Sequence, residues 1–437
     1  MPAAPADSAL YRRLLGDDET AALFTDSAEI RAMLLVEGAL ARVQGRLGLI
    51  PDTAAAFIDR AAREVQIDPA ALAGATATDG VPVPGLVAAF RAAMQAPDHA
   101  QYLHWGATSQ DIVDTALALR LRRVAMLWDG RLAALLAALA DLAEAHADLP
   151  MAARTYGQAA TPTSFGAVVA GWGAPVLRHR ARLAALSPDL AVVSLGGAAG
   201  TLSAMGPEGP AVRAALAEAL DLTDPGASWH AERDRIGAFA GWMAGLCASL
   251  GKLGEDLILM AQSGIGEIRI AGAGGSSTMP QKQNPVGPSA LVALARQVGA
   301  LAAAMQGAGL HRQQRDGAAW FTEWLVLPQL CISTGRALAL AVDLAGRIAP
   351  VPEAMARNLD DGSGLIHAEA MSFALARQMP RPEAQARIKA LCAEALAVGQ
   401  PLPVLVQRDF PSLRLPAAST GTAPAEARAF ASAARTG

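Results

Sequence analysis

A chain of 437 residues is too long for one simple core, so two or three domains are expected. Its formal net charge of −4, with no basic run or Arg/Lys stripe, argues against nucleic acid as a partner. Hydrophobic residues make up 52 % of it, but Ala-rich stretches such as 132–140 are broken by Asp141 and Glu144, well short of a membrane span, so no membrane association is expected.

The opening residues, Met-Pro-Ala-Ala-Pro-Ala-Asp, lack the basic and apolar regions of a secretory signal. Cys247, Cys331 and Cys392 are odd in number, far apart and set within apolar helical patterns, as small buried thiols in a reducing compartment would be. These features predict a cytoplasmic protein. No Cys/His cluster has metal-ligand spacing, so no metal site is expected.

Beta-branched alternation is almost absent while Ala, Leu, Arg and Glu dominate, which predicts an all-α protein. The run Thr78-Asp79-Gly80-Val81-Pro82-Val83-Pro84 ends a first helical region, and Pro97 to Gly106 leads into the next. From Ser109 to about Ala147, residues Leu117, Leu121, Val124, Trp128, Leu132, Leu135, Leu139 and Leu142 share one stripe. A further helix is expected from about Pro162 to Leu186. The apolar run 191–195 could be a short strand, and Gly196-Gly197-Ala198-Ala199-Gly200 after it reads as a tight turn, because it lacks the spacing of a phosphate-binding loop. From about Ala231 to Ile265, Phe239, Met243, Leu246, Leu250, Leu253, Leu257 and Met260 form a heptad seam. After Pro285 a similar seam carries Leu291, Leu294, Val298, Leu301 and Met305, and another helix covers about Thr322 to Leu344. At about 1.5 Å per residue such helices reach about 38 to 57 Å, with more apolar stripe than one chain covers, so assembly through helices is expected. Ile348-Ala349-Pro350-Val351-Pro352 closes the last of them, and shorter helices follow. Domains are therefore placed at 1–107, 108–347 and 348–437.

The chemistry concentrates in a few strings. Residues 104–111, His-Trp-Gly-Ala-Thr-Ser-Gln-Asp, sit where a long helix begins. Thr108 or Ser109 is placed to cap that helix, and hydroxyls and free amides there also suit a carboxylate. Residues 154–162 read Arg-Thr-Tyr-Gly-Gln-Ala-Ala-Thr-Pro, residues 228–235 read Ser-Trp-His-Ala-Glu-Arg-Asp-Arg, and residues 320–324 read Trp-Phe-Thr-Glu-Trp. Taken alone, the last two are an amphipathic helix start and a core aromatic cluster. Residues 274–285, Gly-Gly-Ser-Ser-Thr-Met-Pro-Gln-Lys-Gln-Asn-Pro, place two serines close to an ammonium and an amide. That combination suits proton transfer beside a carboxylate whose developing charge needs stabilising.

This last string resembles the Ser-Ser-x-x-Met-Pro-x-Lys-x-Asn loop of the fumarase/aspartase superfamily, whose members eliminate or add across a C–C bond next to a carboxylate. Residues 104–111 resemble its Gly-x-Thr-Ser-x-Asp region, which grips a substrate carboxylate. Residues 154–162 resemble its Thr-His-Gly-Gln region, with Tyr156 standing where many members have the His that protonates a leaving amine. An amine must be protonated to leave, whereas a carboxylate, with a pKa near 4, leaves unaided. Trp229-His230 with Arg233-Asp234-Arg235, and the Glu323-Trp324 pair, resemble the bacterial carboxymuconate cycloisomerase branch, which handles a small tricarboxylate. The resemblance implies a homotetramer with a central helical bundle, active sites shared between subunits, and neither metal nor organic cofactor. It implies Ser276, Lys282 and Asn284 as catalytic. Thr108, Ser109, Ser277 and Met279 would bind substrate, with Gln158, Arg154, His230 and Arg233 for the remaining anionic groups. A fumarate-releasing lyase, such as adenylosuccinate lyase, is the alternative that Tyr156 disfavours. A non-catalytic helical scaffold would need no such Ser/Lys/Asn loop.

Overall fold

The computed structural model describes residues 4–272, 274, 275, 279, 282–416 and 418–436. Backbone contacts group the chain into two compact units. One comprises Met1–Leu132, His179–Ala248 and Ala293–Ala339; the other comprises Ala133–Arg178, Ser249–Val292 and Leu340–Gly437. The fold is all-α in class, with three two-stranded sheets among the described residues.

After short helical turns, among them Arg12–Leu15 and Asp18–Ala21, the first unit continues with helices α1 (Asp26–Arg46), α2 (Asp52–Glu64), α3 (Pro69–Asp79) and α4 (Val83–Met94). The Thr25 hydroxyl accepts from the Ala28 N–H and starts α1; Asp68 does the same for α3, with Pro69 at the first helical position. Small residues let α1 and α2 approach closely: a Cβ at Gly45 would lie 2.4 Å from that of Ala55.

Five long helices follow, α5 (Ser109–Ala145), α6 (Phe165–Leu190), α8 (Asp234–Ala261), α9 (Val286–Gly307) and α10 (Gly317–Ala345), with the short α7 (Gly209–Leu220) between α6 and α8. Every residue of the expected α8 seam is buried, as are those of α5 and α9 apart from half-buried Leu142 and Leu301. Within the first unit, Trp128 of α5 stacks with Phe239 and Trp242 of α8, with ring centroids 5.6 to 5.9 Å apart. Cys247 and Cys331 are buried, and burial pushes the Cys247 thiol up to about 12; Cys392 is only half-buried.

Among the described residues, three helices, α8, α9 and α10, are long and apolar enough to cross a membrane by length and composition alone. Their apolar windows are 56 %, 39 % and 61 % buried, respectively. Helices apolar on most sides belong in the interior of a multi-helix bundle, and α9 has the most left to cover.

In the second unit, β1 (Pro150–Thr155) and β2 (Gln158–Ser164) form an antiparallel hairpin where the sequence predicts loop and helix start. Pro162 lies in β2, so α6 begins only at Phe165. Tyr156 (φ 53°) and Gly157 (φ 73°) form the connection, both left-handed, which matches the twist of a two-residue hairpin. Strand β3 (Ile268–Ile270) pairs with β6 (Ile348–Pro350), and β4 (Gly274–Gly275) pairs with β5 (Gln283–Asn284). Shorter helices α11 (Arg381–Val398) and α12 (Leu402–Asp409) then build a separate small core around Met371, Leu375, Ile388, Leu391 and Leu405.

Candidate active site

Asp111 organises the functional cluster of the first unit. It lies in the first turn of α5 and is fully buried, and its two carboxylate oxygens accept four hydrogen bonds. Oδ1 accepts from the Gly196 N–H (2.7 Å) and from His230 Nε2 (2.8 Å); Oδ2 accepts from the Thr108 N–H (2.9 Å) and the Gly197 N–H (3.0 Å). The capping contact at this helix start is thus Asp111 reaching back to Thr108, rather than a Thr108 or Ser109 hydroxyl reaching forward. The run 191–195 makes a single parallel bridge, Val192 to Thr223, instead of a strand. The tight turn after it, with Gly197 (φ 69°) and Gly200 (φ 84°) left-handed, is locked to α5 through Asp111.

Thr108 and Ser109 are half-buried at the surface of this cluster. Arg315, which precedes α10, stands over them. Its guanidinium donates to Gln110 Oε1 (2.7 Å), and more weakly to Thr108 Oγ1 (3.5 Å) and the Ala198 carbonyl (3.4 Å). Sequence reasoning missed Arg315, because its partners lie more than a hundred residues away. The nearest sequence signal is the Arg-Asp-Gly step that opens α10, where Asp316 accepts from the Ala318 and Ala319 N–H groups.

His104, also in this cluster, has a left-handed backbone (φ 63°) and places Nδ1 2.6 Å from Glu37 Oε1. Burial opposes the imidazolium, but the Glu37 carboxylate outweighs it and the pKa of His104 is raised.

His230 and Arg233 do not reach outward as expected. His230 is 3 % exposed and backs Asp111 from the interior. Arg233 is sandwiched between two carboxylates: Nη1 and Nη2 donate to Asp114 (2.7 and 3.2 Å), and Nε and Nη2 donate to Glu323 (3.0 and 2.6 Å). Its guanidinium also lies over the Trp229 ring. Burial works against the charge, but the two acids hold the Arg233 pKa above its usual value, while burial lifts that of Glu323. With no exposed side-chain surface, Arg233 offers nothing to a substrate anion, so its expected binding role is corrected to an internal one.

The second unit carries the other cluster. Gly274 and Gly275 pair with Asn284 and Gln283, so the two ends of the signature string meet as a short ladder. A Cβ at Gly274 would lie 2.8 Å from Val286 Cγ2, which accounts for glycine there. The Lys282 N–H donates to the Met279 carbonyl (3.0 Å); Lys282 and Met279 are exposed, and Asn284 is half-buried. Ser276 and Ser277 lie outside the described residues. Gln158 is exposed on the hairpin beside Tyr156, whose side chain is fully in solvent. Arg154, in β1 and half-buried, is bound to buried Glu267 through both terminal nitrogens, at 2.8 Å each. Among the described residues, no group of three His, Cys, Asp or Glu side chains is arranged to hold a metal ion.

Comparison with known proteins adds three findings. Residues 14–299 match a family described as lyase. The chain is 42 % identical to a 3-carboxy-cis,cis-muconate cycloisomerase of Pseudomonas aeruginosa, over 86 % of this chain and 83 % of the relative, and 40 % identical to one from Pseudomonas putida, over 86 % and 90 %. Its fold is similar to the crystal structure of the 3-carboxy-cis,cis-muconate lactonizing enzyme from Pseudomonas putida, with a TM-score of 0.92, 35 % identity and coverage of 98 % and 99 % of the two chains.

Proposed function

We propose that this chain, which belongs to the lyase family that its residues 14–299 match, is a 3-carboxy-cis,cis-muconate cycloisomerase. It interconverts 3-carboxy-cis,cis-muconate and 4-carboxymuconolactone in the breakdown of protocatechuate. The observation that carries the reading is its 42 % identity to the Pseudomonas aeruginosa cycloisomerase along 86 % of the chain. Tyr156 at the hairpin tip agrees with it, since no imidazole stands there to protonate an amine.

In the lactonising direction a substrate carboxylate adds across the conjugated double bond, and the electrons move into the neighbouring carboxylate. Lys282 and Asn284 stabilise that aci-carboxylate, and Ser276 delivers the proton to the alpha carbon. Thr108, Ser109 and the α5 N-terminus anchor a second carboxylate, with Arg315 supplying the cation that His230 and Arg233 do not. Ser277, Met279 and Gln158 line the rest. The enzyme works without metal or organic cofactor, in the cytoplasm, and residues 1–107, 108–347 and 348–437 act as its three domains. It assembles as a homotetramer whose active sites gather residues from several subunits. The exposed apolar side chains Met126, Leu259, Val286 and Leu325 on the long helices support this assembly.

Ultraviolet absorbance tests the reading. Purified protein should remove the conjugated-diene absorbance of 3-carboxymuconate and leave adenylosuccinate untouched. Fumarate release from adenylosuccinate, with 3-carboxymuconate inert, would replace it with the fumarate-releasing alternative.

A further inference from the structure

We propose that Arg154 and Glu267 are positioning residues that hold the β1–β2 hairpin tip in register with the strand leading to Lys282 and Asn284. Glu267 is 0 % exposed and fully engaged. Each oxygen accepts one Arg154 terminal N–H at 2.8 Å, and Oε1 also accepts from Asn358 Nδ2 at 3.0 Å. The backbone of Glu267 is tied as well: its N–H donates to the Met260 carbonyl in the last turn of α8, and its carbonyl accepts from the Val351 N–H just after β6, both at 2.8 Å. One residue therefore joins the end of α8, the exit of β6, Asn358 and strand β1. The chain leaves this junction through β3, and seven residues beyond Glu267 it enters the Gly274–Asn284 ladder. On the other side, Arg154 sits opposite Ala159 in the hairpin, two residues before Tyr156.

An ion pair with one partner fully buried, as Glu267 is here, is a poor stabiliser, since apolar residues of similar volume commonly do as well or better. What a two-point guanidinium–carboxylate contact adds is a fixed distance and angle between the elements that carry it. Here those elements are the hairpin that presents Gln158 and the strand that leads to Lys282 and Asn284. The inference rests on the active-site assignment of Lys282 and Asn284, and it removes Arg154 from the substrate contacts.

The test compares Arg154→Met, Glu267→Leu and the double variant by melting temperature, kcat, KM and tryptic cleavage after Lys282 without substrate. Arg154→Met strands the buried Glu267 carboxylate, Glu267→Leu strands the half-buried Arg154 and costs Asn358 one of its two acceptors, and each should melt lower. The double variant should recover most of the melting temperature. Its kcat should nevertheless remain at least about thirtyfold down, with KM within about threefold of wild type, as expected when geometry rather than binding is lost. Cleavage after Lys282 should be several-fold faster. That last readout uses no substrate, so it stands or fails separately from the cycloisomerase reading. Where the double variant does not fold, Glu267→Gln provides the same measurements. Wild-type kcat and cleavage rate in a stable double variant would reduce the pair to a packing element and overturn the proposal. A tenfold rise in KM at unchanged kcat for Arg154→Met would return Arg154 to the substrate and overturn it equally.

Discussion

Asp111→Asn tests whether the α5 N-terminus is an anion site built by its surroundings. The wild-type carboxylate satisfies four donors, at 2.7 to 3.0 Å, with no exposure to water. An amide has one acceptor oxygen and turns an NH2 toward the other pair of donors. If the NH2 faces Thr108 and Gly197, two backbone N–H groups lose their acceptor. If it faces Gly196 and His230, the imidazole can switch tautomer and accept, and only the Gly196 N–H is orphaned. An orphaned buried donor costs about 1–3 kcal/mol, so even the better orientation strains the contact between the 196–200 turn and Thr108. Removing a negative charge beside an anion site works in the opposite direction, but four donors already compensate that charge. The geometric loss should win. We predict that Asp111→Asn raises KM for 3-carboxymuconate at least tenfold, roughly 1.4 kcal/mol, with helical content by circular dichroism unchanged. A KM equal to or below wild type in a folded variant would show that the charge of Asp111, and not the backbone it holds, decides substrate affinity.

Ser276→Ala should lower kcat by roughly 10²- to 10⁴-fold, the range for losing a positioned acid or base, with the fold intact; near-wild-type turnover would end that assignment. Tyr156→Phe should cost less than about tenfold in kcat, because a departing carboxylate needs no strong acid; a loss as large as that of Ser276→Ala would show Tyr156 moving a proton. The raised pKa of His104 sets a sign for pH dependence. Its pairing with Glu37 stabilises the fold fully below the unfolded histidine value of about 6.5, and that contribution fades as pH rises through the higher folded value. The melting-temperature advantage of wild type over His104→Gln should therefore shrink from acid to alkaline pH, and an advantage that grows with pH would contradict the pairing.

The long helices were legible because their buried positions recur at heptad spacing, and that period follows directly from helix geometry. Tyr156 marked the departure from an amine-releasing site through chemistry that needs no coordinates. The hairpin around it was hidden. Strand β1 contains Pro150, Ala152, Ala153 and Arg154, without branched alternation, and its turn is Tyr-Gly in place of the Asn-Gly or Asp-Gly that signals a hairpin. Side-chain partners were hidden for a different reason. Arg233 finds Asp114 and Glu323 at separations of 119 and 90 residues, and Arg154 finds Glu267 at 113, distances at which a single sequence carries no pairing information. An arginine inside an apparent binding motif therefore reads as an anion contact until its buried acid is seen.

The distribution of those acids bears on how a protein of net charge −4 handles a tricarboxylate. Asp111, Asp114, Glu323 and Glu267 all sit close to proposed site residues, and none is more than 1 % exposed. Each is matched to an arginine, to backbone N–H groups or to a histidine, so its field toward solvent is largely cancelled. Lys282 is exposed and Arg315 half-buried, which leaves cations facing outward in both clusters. Local charge thus separates from net charge: within each unit the buried carboxylates are spent on internal partners, while Lys282 and Arg315 keep part of their surface exposed. The arrangement also explains why mutation of a buried acid and of an outward cation should fail differently. Losing Asp111 or Glu267 disturbs where backbone and side chains stand, whereas losing Lys282, in its proposed role, should lower kcat by removing stabilisation of the developing charge.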